Sequence, residues 1–381
     1  MECPARARHT IGTIVAILKT DLSHIASSSD ILENDILKIS DRVLQELLKD
    51  HSATRAKLTP EQVKAGQQVN IFWATEMYEQ RYGKGRGYDY HDPITIEKIT
   101  GENGSVVQPR VNKTKEEQQQ RSRDKAEVFT PSWICNKQNN LIDNAWFGRD
   151  NVFNTEIDSP DGTHTWQPTA GKIAFPNDPK RTWSKYVSDT RLEITCGEAP
   201  YLVSRYDTIT GEFIPLHRRI GLLDRKMRVV NENTSSETQW WYYTCRAYQS
   251  TYGFDWQGDN VLLAREALFF TFLEYYIDHF GKEPSKEKLQ RIAYIISWNI
   301  WQMDGLKFVV PDSCKAEVVP SAPSLFVFPG EPKQTTPCRG CASGDPRLHN
   351  GIKCLVRDWF SSDKNTGKRH TDLPFYELIN R

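Results

Sequence analysis

The segment from Glu193 to Leu202, with the sequence Glu-Ile-Thr-Cys-Gly-Glu-Ala-Pro-Tyr-Leu, constrains the fold more than any other part of the chain. Its first residues, with Leu192, predict a short strand, and Gly197 follows as a turn. In a Rossmann-like fold, a glycine turn at the carboxyl end of the first strand lies where a cofactor binds. Glycine has no Cβ, so Gly197 would let the backbone approach a ligand closely. The alternative is a purely structural turn.

A second motif, Glu127-Val-Phe-Thr-Pro131, precedes the glycine segment. In this order the two motifs resemble the cofactor-binding half of DNA adenine-N6 methyltransferases, the modification (M) subunits of restriction-modification systems, which use S-adenosylmethionine. The resemblance implies that Phe129 lies against the cofactor and that Thr130 offers a hydroxyl beside it. Cofactor-binding positions would be Phe129, Thr130, Pro131, Glu193, Gly197 and Tyr201. The family's proline and second glycine are replaced here by Ile194 and Ala199.

Two acidic residues extend the resemblance. Asp255 follows Tyr-Gly-Phe, like the acid that accepts hydrogen bonds from the ribose at the end of the family's second strand, and Asp259 is the alternative. Asp304 resembles the acid after the third strand, which binds the adenine amine. Each of these residues could instead be a turn residue at a strand end.

The predicted fold is therefore α/β: a Rossmann-like S-adenosylmethionine-dependent methyltransferase fold with a helical N-terminal region and a small C-terminal zinc-binding module. We expect a mostly helical region with a basic linker at 1–125, the cofactor-binding domain at 126–317, and a Pro-rich linker with a zinc-knuckle-like tail at 318–381. Thr59-Pro60 predicts the start of a helix that runs to about Arg81. Apolar spacing predicts further helices over 259–280 and 285–297.

Two segments carry clustered positive charge, although the chain's net charge is zero. Residues 110–125 are basic and polar, which is typical of a solvated linker or of a contact with DNA phosphates. Residues 83–87 combine three glycines with a Lys and an Arg. Their spacing matches no phosphate-binding loop, and we interpret them as a flexible loop.

The metal prediction rests on the pattern C-x2-C-x7-H-x4-C formed by Cys338, Cys341, His349 and Cys354. Two residues between cysteines let both sulfurs reach one ion, and Cys3His is a common structural zinc set. Four protein ligands leave no position open for catalysis. Free thiols that happen to cluster are the alternative.

The family's catalytic tetrapeptide, Asn/Asp-Pro-Pro-Tyr/Phe, is not plainly present. The nearest segment is Asp372-Leu-Pro-Phe375, so Asp372 and Phe375 are the catalytic candidates, with an ordinary C-terminal turn as the alternative. The chain is thus expected to be an adenine-N6 DNA methyltransferase or modification subunit. Otherwise it is a catalytically incomplete, methyltransferase-like subunit of a split or truncated enzyme. The cofactor half does not exclude an RNA or small-molecule acceptor.

Expected partners are DNA and a second methylase, specificity or nuclease subunit. The first fifty residues lack a basic flank followed by a long apolar core, so we predict no signal peptide and a cytoplasmic location. No apolar run is long enough to predict a membrane span.

Overall fold

The computed structural model describes residues 33–125, 127, 130–318, 335–361 and 369–379. The chain has a mixed α/β fold and divides into two compact units. The first unit consists of Met1–Lys49 and Ile71–Trp301, and the second of Asp50–Asn70 and Gln302–Arg381. This division differs from the three expected regions, because the helical N-terminal region shares a unit with the main sheet.

The helices are short in the N-terminal region and longest in the middle of the chain. In chain order they are α1 (Glu33–Ile39), α2 (Asp41–Leu48), α3 (His51–Lys57), α4 (Pro60–Lys64), α5 (Met77–Tyr82), α6 (Ile96–Ile99), α7 (Lys115–Lys125), α8 (Ser132–Phe147), α9 (Trp183–Val187), α10 (Leu222–Asn233), α11 (Glu237–Gln249), α12 (Gly258–Phe280), α13 (Lys286–Asn299), α14 (Arg339–Ser343) and α15 (Tyr376–Ile379). Helices α3, α4, α14 and α15 belong to the second unit.

The sheets are small. Their strands are β1 (Asn154–Asp158), β2 (His164–Pro168), β3 (Arg191–Ile194), β4 (Thr251–Asp255), β5 (Ile300–Gln302), β6 (Glu317–Val318), β7 (Thr335–Thr336), β8 (Leu355–Asp358) and β9 (Thr371–Pro374). The main sheet has the order β3-β4-β5, and β3 runs parallel to β4 with Ile194 opposite Phe254. Pairs β1/β2, β6/β7 and β8/β9 are antiparallel.

Helix α12 is the centre of the first unit and is buried over most of its length. It ends at Gly281, whose left-handed conformation is a common helix stop. Inside it, the buried guanidinium of Arg265 donates to the carbonyl oxygens of Leu47, Ser297 and Ile300. One side chain thus satisfies carbonyls at the ends of α2 and α13 and at the start of β5.

The predicted helices at 259–280 and 285–297 are confirmed by α12 and α13, but the predicted helix from Thr59 to Arg81 is wrong. Thr59 does cap a helix, with a capping box completed by Gln62, but α4 ends at Lys64. Gly66 then adopts a φ of +86°, and the chain continues in extended form to a bridge between Phe72 and Pro93. Tertiary pairing therefore overrides the helical pattern of this segment.

The second unit joins two stretches that lie far apart in sequence. The N–H of Leu355 in β8 donates to the Ser52 hydroxyl in α3. The N–H of Cys354 donates to the Phe308 carbonyl, and the Cys354 carbonyl accepts the N–H of Phe375. Within the described ranges of the whole chain, no helix is both long and apolar enough to cross a membrane.

Candidate functional sites: a strand-end loop and a cysteine–histidine cluster

The loop after β3 has an unusual backbone. Thr195, Gly197 and Ala199 have φ values of +49°, +53° and +62°. A left-handed conformation costs a non-glycine residue roughly 1–2 kcal/mol, and more is expected for β-branched threonine. Ala199 stands where the resembled motif has its second glycine, at a position that favours glycine. Such strain persists only where the surrounding contacts enforce it.

The strand-end loop, residues 195–201, is tied to the end of β4. The N–H of Gly197 donates to Oδ2 of Asp255 at 2.9 Å. The other carboxylate oxygen accepts the N–H of Gln257 at 3.0 Å and a longer bond from the Asn260 amide. Burial raises the pKa of Asp255, and these donors oppose the rise. The two predicted residues therefore meet at the carboxyl ends of neighbouring parallel strands.

Glu193 and Tyr201 belong to the same connected set. One Glu193 oxygen accepts the N–H of Tyr201 at 3.4 Å, and burial raises the pKa of Glu193 well above its usual range. The Tyr201 hydroxyl hydrogen-bonds the side chain of Thr130. Pro131 is the N-cap residue of α8, which places Thr130 just before that helix. Phe129 lies outside the described residues.

A buried ionic network lies beside this set and was not foreseen from the sequence. Arg121 binds the carboxylate of Glu127, the Asp259 carboxylate at 2.7 Å and the Gln257 side chain at 2.8 Å. Burial would raise the pKa of Asp259, but Arg121 and Lys113 outweigh it and hold the pKa at about 2. Asp259, the alternative to Asp255, is therefore committed to a structural ion pair.

The network also corrects the interpretation of residues 110–125. Arg121 and Lys113 are buried against carboxylates, so these two cations are not available to DNA phosphates. In the sequence, Arg121 is one of several charged residues within α7. Residue spacing does not show that its partners are Glu127 and Asp259.

Asp304 belongs to the second unit. Its Oδ1 accepts the N–H groups of Leu306 and Lys307, and its Oδ2 lies 3.1 Å from the Lys307 ammonium. These are the contacts of a turn residue after β5, which was the alternative to a cofactor contact.

A cluster of three cysteines and one histidine lies in the second unit. It consists of Cys314, Cys338, Cys341 and His349, whose ligand atoms all lie within 4.8 Å of one another. Nδ1 of His349 is 3.6, 3.7 and 3.7 Å from the three sulfurs. Zinc–sulfur bonds of about 2.3 Å and zinc–nitrogen bonds of about 2.0 Å, at tetrahedral angles, separate S and N by about 3.6 Å. The three nitrogen–sulfur separations therefore match those of a tetrahedral zinc site.

The surrounding backbone fits thiolate ligands. Burial alone would raise the pKa of Cys338, but the N–H groups of Asn350 and Cys341 donate to its sulfur and lower the pKa to about 6. Gly340 packs so closely that an added Cβ would lie 2.4 Å from the backbone nitrogen of His349. The glycine between the two cysteines is therefore required for the histidine to face them.

Cys314 replaces Cys354 in the predicted ligand set. The prediction that Cys354 is a ligand is wrong, because its sulfur points to the carbonyl oxygen of Gln302, at 3.5 Å. Burial also raises the pKa of Cys354 well above its usual range, so it stays a neutral thiol. The antiparallel pairing of β6 and β7 brings Cys314 next to Cys338, since these residues flank that pair.

The catalytic candidates have structural contacts. Asp372 faces Arg357 across the β8/β9 pair and accepts two hydrogen bonds from its guanidinium, at 2.7 and 2.9 Å. Arg55 adds a third contact at 3.3 Å. Phe375 is buried against the ring of Phe308. A carboxylate held by two arginines is poorly placed to accept an adenine amine, so the geometry favours the structural alternative for both residues.

Comparison with protein-family models, curated proteins and solved structures finds no match to this chain.

Proposed function

We propose that the first unit binds S-adenosylmethionine at the joined ends of β3 and β4, as the cofactor-binding part of an adenine-N6 DNA methyltransferase. The observation that carries the proposal is the hydrogen bond from Gly197 to Asp255. It joins a glycine turn and an acid at the carboxyl ends of two adjacent parallel strands, where α/β folds bind ligands.

The residues at this place suit the cofactor. A carboxylate has about four acceptor positions. Gly197, Gln257 and Asn260 fill three on Asp255, which leaves one for a ribose hydroxyl. Tyr201 and Thr130 would flank the ligand from the loop and from the start of α8. When bound, the cofactor supplies an electrophilic methyl group, and the protein's part is to hold it and to exclude water.

A second candidate is the catalytically incomplete subunit, and the edge of the main sheet favours it. In the described part of the chain, β4 is the sheet partner of β3, and the other edge of β3 carries no strand. On this edge strand Leu192 is 42% and Ile194 is 65% exposed. Edge strands usually carry features that discourage pairing, and apolar side chains do the opposite. A partner subunit would add a strand there and bring the missing tetrapeptide.

Calorimetric titration of the purified chain with S-adenosylmethionine tests the proposal, and a methylation assay on adenine-containing duplex DNA separates its two forms. Binding with methylation supports a self-sufficient enzyme. Binding without methylation supports the incomplete subunit. Folded protein that takes up no cofactor contradicts both forms.

The assay needs one matched pair of variants. Asp372→Asn removes the charge of the catalytic candidate, and Asp161→Asn removes an exposed charge in the turn between β1 and β2. Equal methylation activity of the two variants would exclude Asp372 from catalysis. Loss of activity in Asp372→Asn alone, in protein that remains folded, would support Asp372 as a catalytic residue.

We further propose that the cluster of Cys314, Cys338, Cys341 and His349 holds a structural zinc ion. Four protein ligands complete the tetrahedron and leave no open position for a reacting water. Three thiolates and one Zn²⁺ carry a net charge of −1, and the ammonium groups of Lys307 and Lys353 interact electrostatically with the cysteines.

A further inference from the structure

A separate cavity lies in the first unit and shares no lining residue with the strand-end loop. It is largely open to solvent and has a volume of about 640 Å³. It is lined by Tyr82, Gly85, Arg86, Gly87, Tyr88, Lys98 and Asn103. These residues come from the end of α5, from the glycine-rich segment after it, from α6 and from the 3₁₀ turn Gly101–Asn103.

The two cations of the cavity, Arg86 and Lys98, form no ion pair within 4 Å among the described residues, although the neighbouring Glu97 carboxylate interacts electrostatically with Lys98. The neighbouring Lys84 and Arg81 do form such ion pairs, since they pair with Glu79 at 3.8 Å and with Glu117 at 3.3 Å. By contrast, the Lys98 ammonium donates to the carbonyl oxygen of Arg86 and lies 5.0 Å from the centroid of the Tyr88 ring. The cavity therefore presents two cations without a close ion-pair partner in the described part of the chain, and the Asp89 carboxylate accepts the N–H of the lining residue Gly85 at 2.7 Å.

The glycine segment is shaped around Lys98 and is held in place. Gly87 has a φ of +85°, and an added Cβ would lie 2.5 Å from Cε of Lys98. The indole of Trp73 donates to the Gly87 carbonyl at 3.1 Å, and the Tyr88 hydroxyl donates to the Lys98 carbonyl at 3.2 Å. These contacts argue against the flexible loop expected from the sequence, because they tie Gly87 and Tyr88, at the end of the glycine segment, to Trp73 and Lys98.

Aromatic rings form the rest of the wall. The rings of Tyr82 and Tyr88 are 4.6 Å apart, and Tyr82 is a half-buried lining residue with the Arg81 guanidinium 5.4 Å from its ring centroid. Guanidinium and ammonium groups next to an aromatic surface are the combination that binds phosphate and base together.

We propose that this cavity binds a nucleotide, with its phosphate between Arg86 and Lys98 and its base against Tyr82. This proposal does not depend on cofactor binding at the strand-end loop. The same chemistry is offered by a free nucleoside monophosphate and by one nucleotide unit within a DNA single strand, and the probes below distinguish these two sources.

The test measures the affinity of the full chain for adenosine monophosphate, for adenosine and for a single-stranded oligonucleotide of about twelve nucleotides. Arg86→Gln and Lys98→Gln should each weaken binding roughly tenfold, the effect of losing one charge-assisted hydrogen bond. Lys84→Gln is the matched control, since it removes a charge from the same segment outside the cavity lining, and it should change the affinity less than about twofold.

Gly87→Ala gives an independent check, because it displaces Lys98 without removing a charge, and it should weaken binding as Lys98→Gln does. Thermal unfolding of every variant shows that the fold is retained. Binding of the monophosphate identifies a free nucleotide site, and binding of the oligonucleotide alone identifies a unit of a DNA strand. If neither probe binds, if adenosine binds as tightly as its monophosphate, or if Lys84→Gln has the same effect as Arg86→Gln, the proposal is overturned.

Discussion

The strand-end loop and the cysteine–histidine cluster were both anticipated from short motifs, yet their side chains differ in what they still require. Gly197 hydrogen-bonds Asp255, and Tyr201 hydrogen-bonds Glu193 and Thr130, so most polar groups around the loop have partners, although Oε2 of the buried Glu193 carboxylate has none among the described residues. In the cluster, three sulfurs lie close to one imidazole nitrogen. Once the thiols ionise, the negative charges of the thiolates repel one another, and a bound cation would offset that repulsion.

This difference determines how strongly each geometry points to a ligand. Three cysteine sulfurs and one histidine nitrogen that lie within 4.8 Å of one another are a ligand set typical of a metal site. A carboxylate that accepts backbone N–H groups at a strand end can serve the fold alone. The expected effects of mutation follow the same order, from the metal cluster to the loop.

The largest effect should come from the metal. Structural zinc contributes apparent binding energies of about 10–16 kcal/mol in small domains at neutral pH, so chelation should unfold the second unit. Cys314→Ser should abolish stoichiometric zinc, whereas Cys354→Ser should keep one zinc per chain. Elemental analysis of both purified variants measures this difference. Retained zinc in Cys314→Ser, together with its loss in Cys354→Ser, would restore the ligand set predicted from spacing.

The next effect concerns the Arg121 network beside the loop. Arg121→Met leaves the buried carboxylates of Glu127 and Asp259 without their main partner, which should cost about 3–5 kcal/mol. Lys115→Met, at the exposed start of the same helix, should cost less than about 0.5 kcal/mol. Chemical denaturation of the two variants gives the comparison. Similar decreases in the free energy of unfolding of the two variants would mean that the network contributes little to stability.

The same network predicts a pH dependence. The pKa of Asp259 is lowered from 3.8 to about 2 in the folded chain, so its contribution to stability is fully present above its unfolded pKa. That contribution should be lost as the pH falls from about 4 towards 2. Acid unfolding followed by circular dichroism should show this loss of stability between about pH 4 and pH 2 in the wild type. If Asp259→Asn loses the same stability over the same pH range, the loss comes from another group.

These two regions also show what the sequence could predict. The turn at Gly197 and the acid at Asp255 were identified because strand ends and glycines are local signals. Cys338, Cys341 and His349 were identified because the spacing between neighbouring ligands is local as well. Cys314 was missed because a long-range pairing, β6 with β7, brings it to the cluster. Arg121 was taken for a surface charge because Asp259, its partner, is 138 residues away.

A moderate effect should appear at the carboxylate that joins the two strands. Asp255→Ala removes the acceptor of the Gly197 N–H and of the expected ribose hydroxyl, so it should weaken S-adenosylmethionine binding by about 1–3 kcal/mol. Asp161→Ala, in an exposed turn, should leave binding unchanged. Calorimetry on both variants measures this difference, and an unchanged affinity in Asp255→Ala would leave the residue with a purely structural role.

The smallest effect tests whether the loop is strained. Thr195 is exposed and has a φ of +49°, which glycine adopts without the steric cost that a β-branched residue bears. Thr195→Gly should therefore stabilise the protein by roughly 0.5–1 kcal/mol, after the added entropy of the unfolded chain is subtracted. Thr190→Gly is the matched control, because Thr190 is exposed just before β3 without a left-handed backbone, and it should destabilise by a similar amount. If the free energy of unfolding rises in Thr195→Gly and falls in Thr190→Gly, the loop is held in a conformation that its sequence disfavours. Destabilisation of equal size in both would mean that the contacts of Gly197 and Tyr201 hold a relaxed turn, and the case for a ligand at this loop would then rest on Asp255 alone.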